Sequence, residues 1–150
     1  MMQFTVPGEV RGKGRPRAVR VGAGIRMHTD EKTASYENRV ALFARQAIGD
    51  QALLIGPVQL RIDAFVQIPA SWSKKKQAAA LAGEIMPTGK PDADNVAKAI
   101  SDALNGIAWK DDAQAVDLVF RKRYAATPCA VVTITDLTVF QNNQSDEVKR

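Results

Sequence analysis

Two aspartates separated by one residue open a segment with helical periodicity. Asp92 and Asp94 stand in the sequence PDADNVAKAISDAL, directly after Lys90-Pro91. Because proline disfavours helical backbone at the residue before it, a helix cannot begin much earlier than Asp92. Lys98 follows Asp94 by four residues, a spacing that places two side chains on one face of a helix. The sequence therefore predicts two carboxylates and a lysine near the first turn of a helix.

A third carboxylate comes from the sequence WKDDAQ, in which Asp111 and Asp112 lie between the helix stop Asn105-Gly106 and a segment rich in β-formers. Hard divalent ions such as Mg²⁺ bind oxygen ligands and keep waters for a substrate phosphate and a nucleophile. A nearby lysine can offset charge on a phosphoryl group or orient the attacking water. These residue types together favour metal-assisted phosphodiester chemistry.

Each of these residues also has an ordinary structural explanation. Asp94 is suited to capping a helix, and Asp92 is suited to the positive end of the helix dipole. Lys98 is suited to an ion pair with Asp94 or Asp102. For any single residue the structural explanation is the commoner one. The structural explanations do not account for a cluster of carboxylates in a chain of net charge +5 that favours an anionic partner. A metal ion bound by the carboxylates would account for both.

The positive charge is concentrated near the N-terminus. Residues 1–30 carry six basic side chains against Glu9 and Asp30. Basic side chains placed on phosphates release condensed counterions, so this asymmetry favours a polyanionic partner. A basic face that serves only solubility is the alternative, and composition does not separate the two. The residues expected to contact such a polyanion are Arg11, Lys13, Arg15, Arg17 and Arg20.

Composition narrows the class of protein. A chain of 150 residues with 45% hydrophobic and 25% charged residues is typical of one globular domain. A single cysteine excludes an intramolecular disulfide, and a single histidine excludes a multi-histidine zinc site. No run of about 18 to 20 apolar residues is present and the start lacks a secretory pattern, so we expect a cytoplasmic protein with no membrane partner.

The elements that must position these residues mix strand and helix patterns, which predicts an α+β fold: one domain over residues 1–140, with helices packed on a small mixed β-sheet. The glycine-rich basic segment from about residue 8 to 30 predicts a long loop or a loosely formed hairpin. Two final strands, near residues 115–124 and 130–139, are expected to pair as a hairpin. The polar tail, residues 141–150, is expected to be disordered. The other expected elements are a strand at Gln3–Pro7, a helix from Asp30 or Thr33 to Ile48, a strand from Val58, and a short helix over SWSKKKQAAALAG.

Two stretches resemble the RusA family of Holliday junction resolvases, particularly its phage-borne members. They are PDADNVAKAISDALNGIAWKDDAQAVDLVFRKRY and GKGRPRAVRVGAGIRMHTDEKTASYENRV, which together cover about half of the chain. The resemblance implies an endonuclease that depends on Mg²⁺ or Mn²⁺ and acts as a homodimer. Its substrate would be four-way junction DNA, cut by paired symmetric nicks that leave ligatable products.

The resemblance also assigns roles to individual residues. It implies that Asp92, Asp94 and Asp112 bind the metal and that Lys98 is essential. Asn95 and, less firmly, Asp111 would support them. The chain departs from the shorter enterobacterial form in its longer N-terminal loop and its polar tail, which leaves the preferred cleavage sequence open.

Other functions remain open at this point. A protein that binds branched DNA without cutting it would need no metal, and a nuclease for flaps, forks or RNA would share the same site. A P-loop phosphotransferase is set aside because TGKP lacks the upstream glycine and the following Ser or Thr. The chain holds one carboxylate constellation whereas a junction needs two nicks, so a second copy is expected. The apolar run Leu53, Leu54 and Ile55 is a candidate dimer surface.

Overall fold

A computed structural model describes residues 1–14, 17–22, 24–28 and 31–138, with side chains for all of these except residues 17–19, 21 and 25–28. The described strands are β1 (Met2–Pro7), β2 (Arg17–Val21), β3 (Gly24–His28), β4 (Val58–Gln67), β5 (Ala115–Ala125) and β6 (Cys129–Asp136). The described helices are α1 (Glu31–Ile48), α2 (Lys74–Leu81) and α3 (Ala93–Ala103), and a short 3₁₀ turn spans Asp112–Gln114.

Four of the strands form one mixed sheet in the order β1-β6-β4-β5. Strand β6 is antiparallel to both β1 and β4, whereas β4 and β5 are parallel. The predicted hairpin between the last two strands is therefore wrong, because β4 lies between them. Alternate residues of β4 are buried along most of its length, so the free energy of burial favours its central place in the sheet.

The core lies between one face of this sheet and the helices α1 and α3. The apolar stripe of α1 is formed by Tyr36, Val40, Ala44 and Ile48, all buried. Helix α3 contributes Val96 and Ile100, which are fully buried against the same cluster. Helices packed on one face of a mixed sheet confirm the predicted α+β class. No helix in the described parts of the chain is both long and apolar enough to span a bilayer.

The N-terminal basic segment is divided into two parts. Strands β2 and β3 pair as an antiparallel hairpin, which confirms the second of the two predicted forms for that stretch. Residues 8–14 have no regular structure but contact the helices: the Lys13 amide donates to the Asn95 carbonyl at 2.9 Å, and the Gly14 amide donates to Thr33 Oγ1 at 3.0 Å. A Cβ at Gly12 would lie 2.9 Å from Asn95 Cβ, so glycine permits this close approach. The predicted disordered tail lies outside the described residues.

Candidate active site

The start of α3 presents two exposed carboxylates. Asp92 occupies the N-cap position with extended backbone (φ −71°, ψ 143°), yet its side chain makes no capping hydrogen bond. Asp94 lies in the first turn. Neither carboxylate has a hydrogen bond or an ion pair with any other residue in the described ranges. The capping role considered for Asp94 is therefore not used, and both side chains are available to a cation.

The chain entering α3 is held by a lysine from the sheet. Lys122 of β5 donates from Nζ to the Gly89 carbonyl at 2.6 Å and to the Pro91 carbonyl at 3.0 Å. The peptide bond between Lys90 and Pro91 is cis. These contacts, together with the backbone bond from Lys13 to Asn95, attach both sides of the α3 start to the rest of the domain.

Asp92, Asp94 and Asn95 line a cavity of about 710 Å³ between the N-terminal segment and the C-terminal end of β4. The ionisable residues in its wall are Glu9, Arg11, Lys13, Lys32, Lys90, Asp92 and Asp94. Carboxylates bordered by basic side chains suit a metal ion together with an anionic ligand, because the carboxylates bind the metal and the basic side chains bind the anion. Lys32 and Lys90 were not identified from the sequence, although Lys90 stands directly before the PDAD motif.

Lys98 of α3 belongs to a chain of ion pairs. Its Nζ lies 2.9 Å from Asp102 and 3.3 Å from Asp112. The pKa of Lys98 is raised above its ordinary value, first by the hydrogen bond to Asp102 and then by that to Asp112. The partner of Lys98 in the helix is thus Asp102 and not Asp94.

Asp102 also binds the N-terminal segment. Its second oxygen accepts from Lys13 Nζ at 2.5 Å, and the same ammonium lies 3.2 Å from Glu37 of α1. The pKa of Lys13 is raised, with the Asp102 hydrogen bond as the largest cause. One carboxylate therefore connects Lys13 to Lys98. From the sequence, Asp102 is expected only as an ion-pair partner of Lys98 within the helix, and Glu37 is not identified. Lys13, the common partner of both carboxylates, is distant from them along the chain.

The adjacent aspartates of WKDDAQ have different surroundings. Asp111 caps the 3₁₀ turn, accepting from the Ala113 amide at 3.2 Å, while Gln114 accepts from the Asp111 amide at 3.1 Å. The pKa of Asp112 is lowered, chiefly by its interaction with the Asp111 side chain and then by Lys98. A lowered pKa keeps Asp112 ionised at neutral pH.

Of the three aspartates expected to bind a metal, Asp92 and Asp94 are placed to hold a hard divalent cation. Within the described residues no group of three or more His, Cys, Asp or Glu side chains is close enough to hold a metal ion. Asp92 and Asp94 nevertheless line one cavity, and Mg²⁺ is commonly held by one or two carboxylates with waters and substrate phosphate completing its shell. Asp112 is paired with Lys98 and is absent from the described lining of that cavity.

The basic residues expected to contact DNA are only partly described. Arg11 lies in the cavity wall, 3.0 Å from Glu9, and Arg20 is exposed on β2. The charge of Lys13 is already balanced by two carboxylates. Arg15 lies outside the described residues, as does the side chain of Arg17.

Comparison with known proteins gives the family of this chain. The family model described as Endodeoxyribonuclease RusA matches residues 7–135. This range contains β4, β5, the three helices and all of the carboxylates above, whereas β1 lies outside it except for Pro7. The chain is also 37% identical over 139 residues to the uncharacterized protein YqaN of Bacillus subtilis strain 168, an alignment that covers 91% of this chain and 97% of that protein. The chain therefore belongs to the RusA endodeoxyribonuclease family.

Proposed function

We propose that this protein is a metal-dependent endodeoxyribonuclease that resolves four-way DNA junctions by paired symmetric nicks. The observation that carries the proposal is the pair of exposed carboxylates, Asp92 and Asp94, without partners in the described residues and bordered by cations in one cavity. Membership of the RusA family supports the class of reaction, phosphodiester hydrolysis in DNA.

In this proposal Asp92 and Asp94 bind Mg²⁺ or Mn²⁺, with Asp112 as a third ligand. The ion would supply Lewis-acid activation of a water and of the scissile phosphate. Asn95, whose carbonyl accepts from the Lys13 amide, and the Lys122 contacts orient the first turn that carries both aspartates. Asp111 acts one step away, since its carboxylate caps the turn that presents Asp112.

Lys98 has a role that depends on an exchange of partners. Its ammonium is shared by Asp102 and Asp112. If Asp112 held the metal, Asp102 would remain the ion-pair partner of Lys98, whose ammonium would then be available to the scissile phosphate. Asp102 keeps the ammonium in place during that exchange. A lysine held in this way is suited to stabilising charge on the phosphate in the transition state.

The basic N-terminal segment is proposed to bind the sugar-phosphate backbone. Arg11 and Arg20 are exposed, and Arg15 and Arg17 lie between them in the sequence. Contacts of this type fix the register of a protein on DNA without reading the bases. Binding of DNA by Lys13 would compete with its ion pairs to Glu37 and Asp102.

Two symmetric nicks require two sites, so we propose a two-fold homodimer with one carboxylate site in each subunit. A four-way junction has approximate two-fold symmetry, which an isologous dimer matches. Since one subunit makes one nick, a dimer can complete resolution within one binding event. Heterodimers of wild-type and Asp94→Asn chains should therefore nick a cruciform plasmid without linearising it.

The test uses a supercoiled cruciform plasmid incubated with the protein, with Mg²⁺ or with EDTA. We expect linear product in the reaction with Mg²⁺ and none in the reaction with EDTA. The Asp94→Asn variant should form no linear product but should still bind the junction. Asp50→Asn, an exposed carboxylate beyond the end of α1, is the matched control and should cut normally. Binding without cleavage at any metal concentration would refute the nuclease. Equal cleavage of a four-way junction, a linear duplex and RNA would refute the proposed substrate.

A further inference from the structure

Strand β5 lies at one edge of the four-stranded sheet and pairs only with β4 among the described strands. It has 11 residues, whereas the strand at the opposite edge, β1, has 6 and ends in Pro7. Short edge strands and proline hinder pairing with another chain, and a long edge strand without proline allows it. The two edges of this sheet therefore differ in their protection.

The unprotected edge is also apolar where it is most exposed. Val116 is 62% exposed and Leu118 is 56% exposed, although Leu118 stands beside Leu60, which is 1% exposed in β4. In a parallel pair, neighbouring residues in register share one face of the sheet. The apolar face of the core thus continues into β5, beyond the part that the helices cover.

We infer that a second copy of this chain pairs with the free edge of β5, antiparallel and about a two-fold axis at Val119. This surface deepens the homodimer of the proposed function and rests on it. In this register Leu118 of one chain stands opposite Phe120 of the other and the two copies of Val119 meet at the axis, whereas Val116 stands opposite Lys122. A two-fold axis requires self-complementarity, which the charges of the strand provide.

The charges and the apolar residues of β5 together select this register, since an axis at Phe120 would pair Asp117 with Arg123 but would place Leu118 opposite Lys122. When the axis passes through Val119, residues whose numbers add up to 238 stand opposite each other. Asp117 of each copy therefore faces Arg121 of the other, which gives two such pairs. Both side chains are exposed, and neither has an ion pair elsewhere in the described residues. Opposite charges directly across two antiparallel strands stabilise the pairing, and like charges weaken it. The continuous sheet of such a dimer would have eight strands, four from each copy.

Charge reversal tests the surface and the register together. The mass in solution is measured by sedimentation velocity for wild type, Asp117→Arg, Arg121→Asp, and an equimolar mixture of the two variants. Each variant alone puts like charges opposite each other at both sites, so its dimer constant should weaken about tenfold or more. In the mixture every charged pair is opposite in sign again, so heterodimers should form with nearly the wild-type constant.

Matched controls separate this surface from general charge effects. Asp50→Arg and Arg45→Asp make the same changes at exposed positions near the end of α1 and should leave the dimer unchanged. Circular dichroism checks that every variant keeps its fold. Because the readout is mass and not cleavage, loss of nuclease activity does not bear on the result.

Three outcomes would overturn the inference. The first is a wild-type protein that sediments as a monomer. The second is a dimer that both charge reversals leave intact, or a dimer that they weaken and that mixing the two variants does not restore. The third is a dimer that Ile55→Ser dissociates while the β5 variants do not. That result would place the contact at the exposed Leu53–Ile55 segment instead.

Discussion

Replacing Asp102 by asparagine tests whether the ion-pair chain between Lys13 and Lys98 positions the lysine of the site. The change keeps the shape of the side chain and removes the charge shared by two ammonium groups. The side chain of Asp102 is 17% exposed, against 27% for Lys13 and 56% for Lys98. Its bond to Lys13 is therefore the better shielded of the two.

The expected loss of stability follows from these exposures. A hydrogen bond between charged groups contributes about 1.5–3 kcal/mol when shielded, which applies to the pair with Lys13. The pair with Lys98 is largely solvated and contributes about 0.5 kcal/mol. Asparagine still accepts one hydrogen bond, so the net loss should be about 2 kcal/mol. For a domain of this size that corresponds to a fall in Tm of roughly 4–8 °C.

The effect on catalysis should be separable from the effect on stability. Without Asp102, the ammonium of Lys98 keeps only Asp112, the carboxylate proposed to turn to the metal. We expect kcat on a four-way junction to fall by about tenfold, well below the melting temperature, because one mispositioned group costs about 1.4 kcal/mol of transition-state stabilisation. The KM should not rise, since the loss of the Asp102 charge also removes one of the two ion pairs that compete with DNA for Lys13.

Two variants make this measurement decisive. Asp102→Glu restores the charge and should recover part of kcat, and Asp50→Asn controls for removal of an exposed carboxylate. Cleavage is followed under single-turnover conditions on a labelled junction, and Tm by circular dichroism. If Asp102→Asn has the Tm and the kcat of wild type, the ion-pair chain does not position Lys98 and the reasoning is wrong.

Three further predictions concern other parts of the molecule. Lys122→Met removes the ammonium that holds the carbonyls before α3. It should lower the free energy of unfolding by about 1–2 kcal/mol in chemical denaturation and slow cleavage at saturating Mg²⁺. An unchanged cleavage rate would show that the α3 start is held by other contacts. Burial raises the pKa of Tyr36 from 10.0 to about 12, so its neutral form contributes stability that is complete below pH 10 and is lost as the pH rises toward 12. Tyr36→Phe should therefore gain up to about 2–3 kcal/mol relative to wild type between pH 9 and 12 in urea unfolding, and a constant difference would contradict the buried hydroxyl. The double variant Arg15→Ala, Arg17→Ala should bind all junction sequences more weakly, and the slope of log K against log salt should fall in magnitude by about 1 to 2. An unchanged slope would show that this segment does not contact the DNA phosphates.

The sequence was sufficient wherever the determining residues are close together along the chain. Helical periodicity and the glycine after Ile48 predicted α1, and Pro91 followed by DADNVAKAI placed the two aspartates at the start of α3. Capping, periodicity and turn chemistry depend on residues within a few positions of each other, so they can be identified from one sequence. The chemistry proposed for Asp92 and Asp94 was available from the same local pattern.

Only the tertiary structure decided what depends on distant residues. The order β1-β6-β4-β5 contradicts the hairpin expected from two adjacent strands, because the place of β4 is set by burial across the whole sheet. Lys13 and Asp102 are 89 residues apart, and their ion pair exists because the N-terminal segment crosses α3 at Asn95. The exposure of Val116 and Leu118 likewise follows from the place of β5 at the edge of the sheet. Burial and partner choice are properties of the packed chain as a whole, since they follow from which surfaces meet and not from the residues of any one segment.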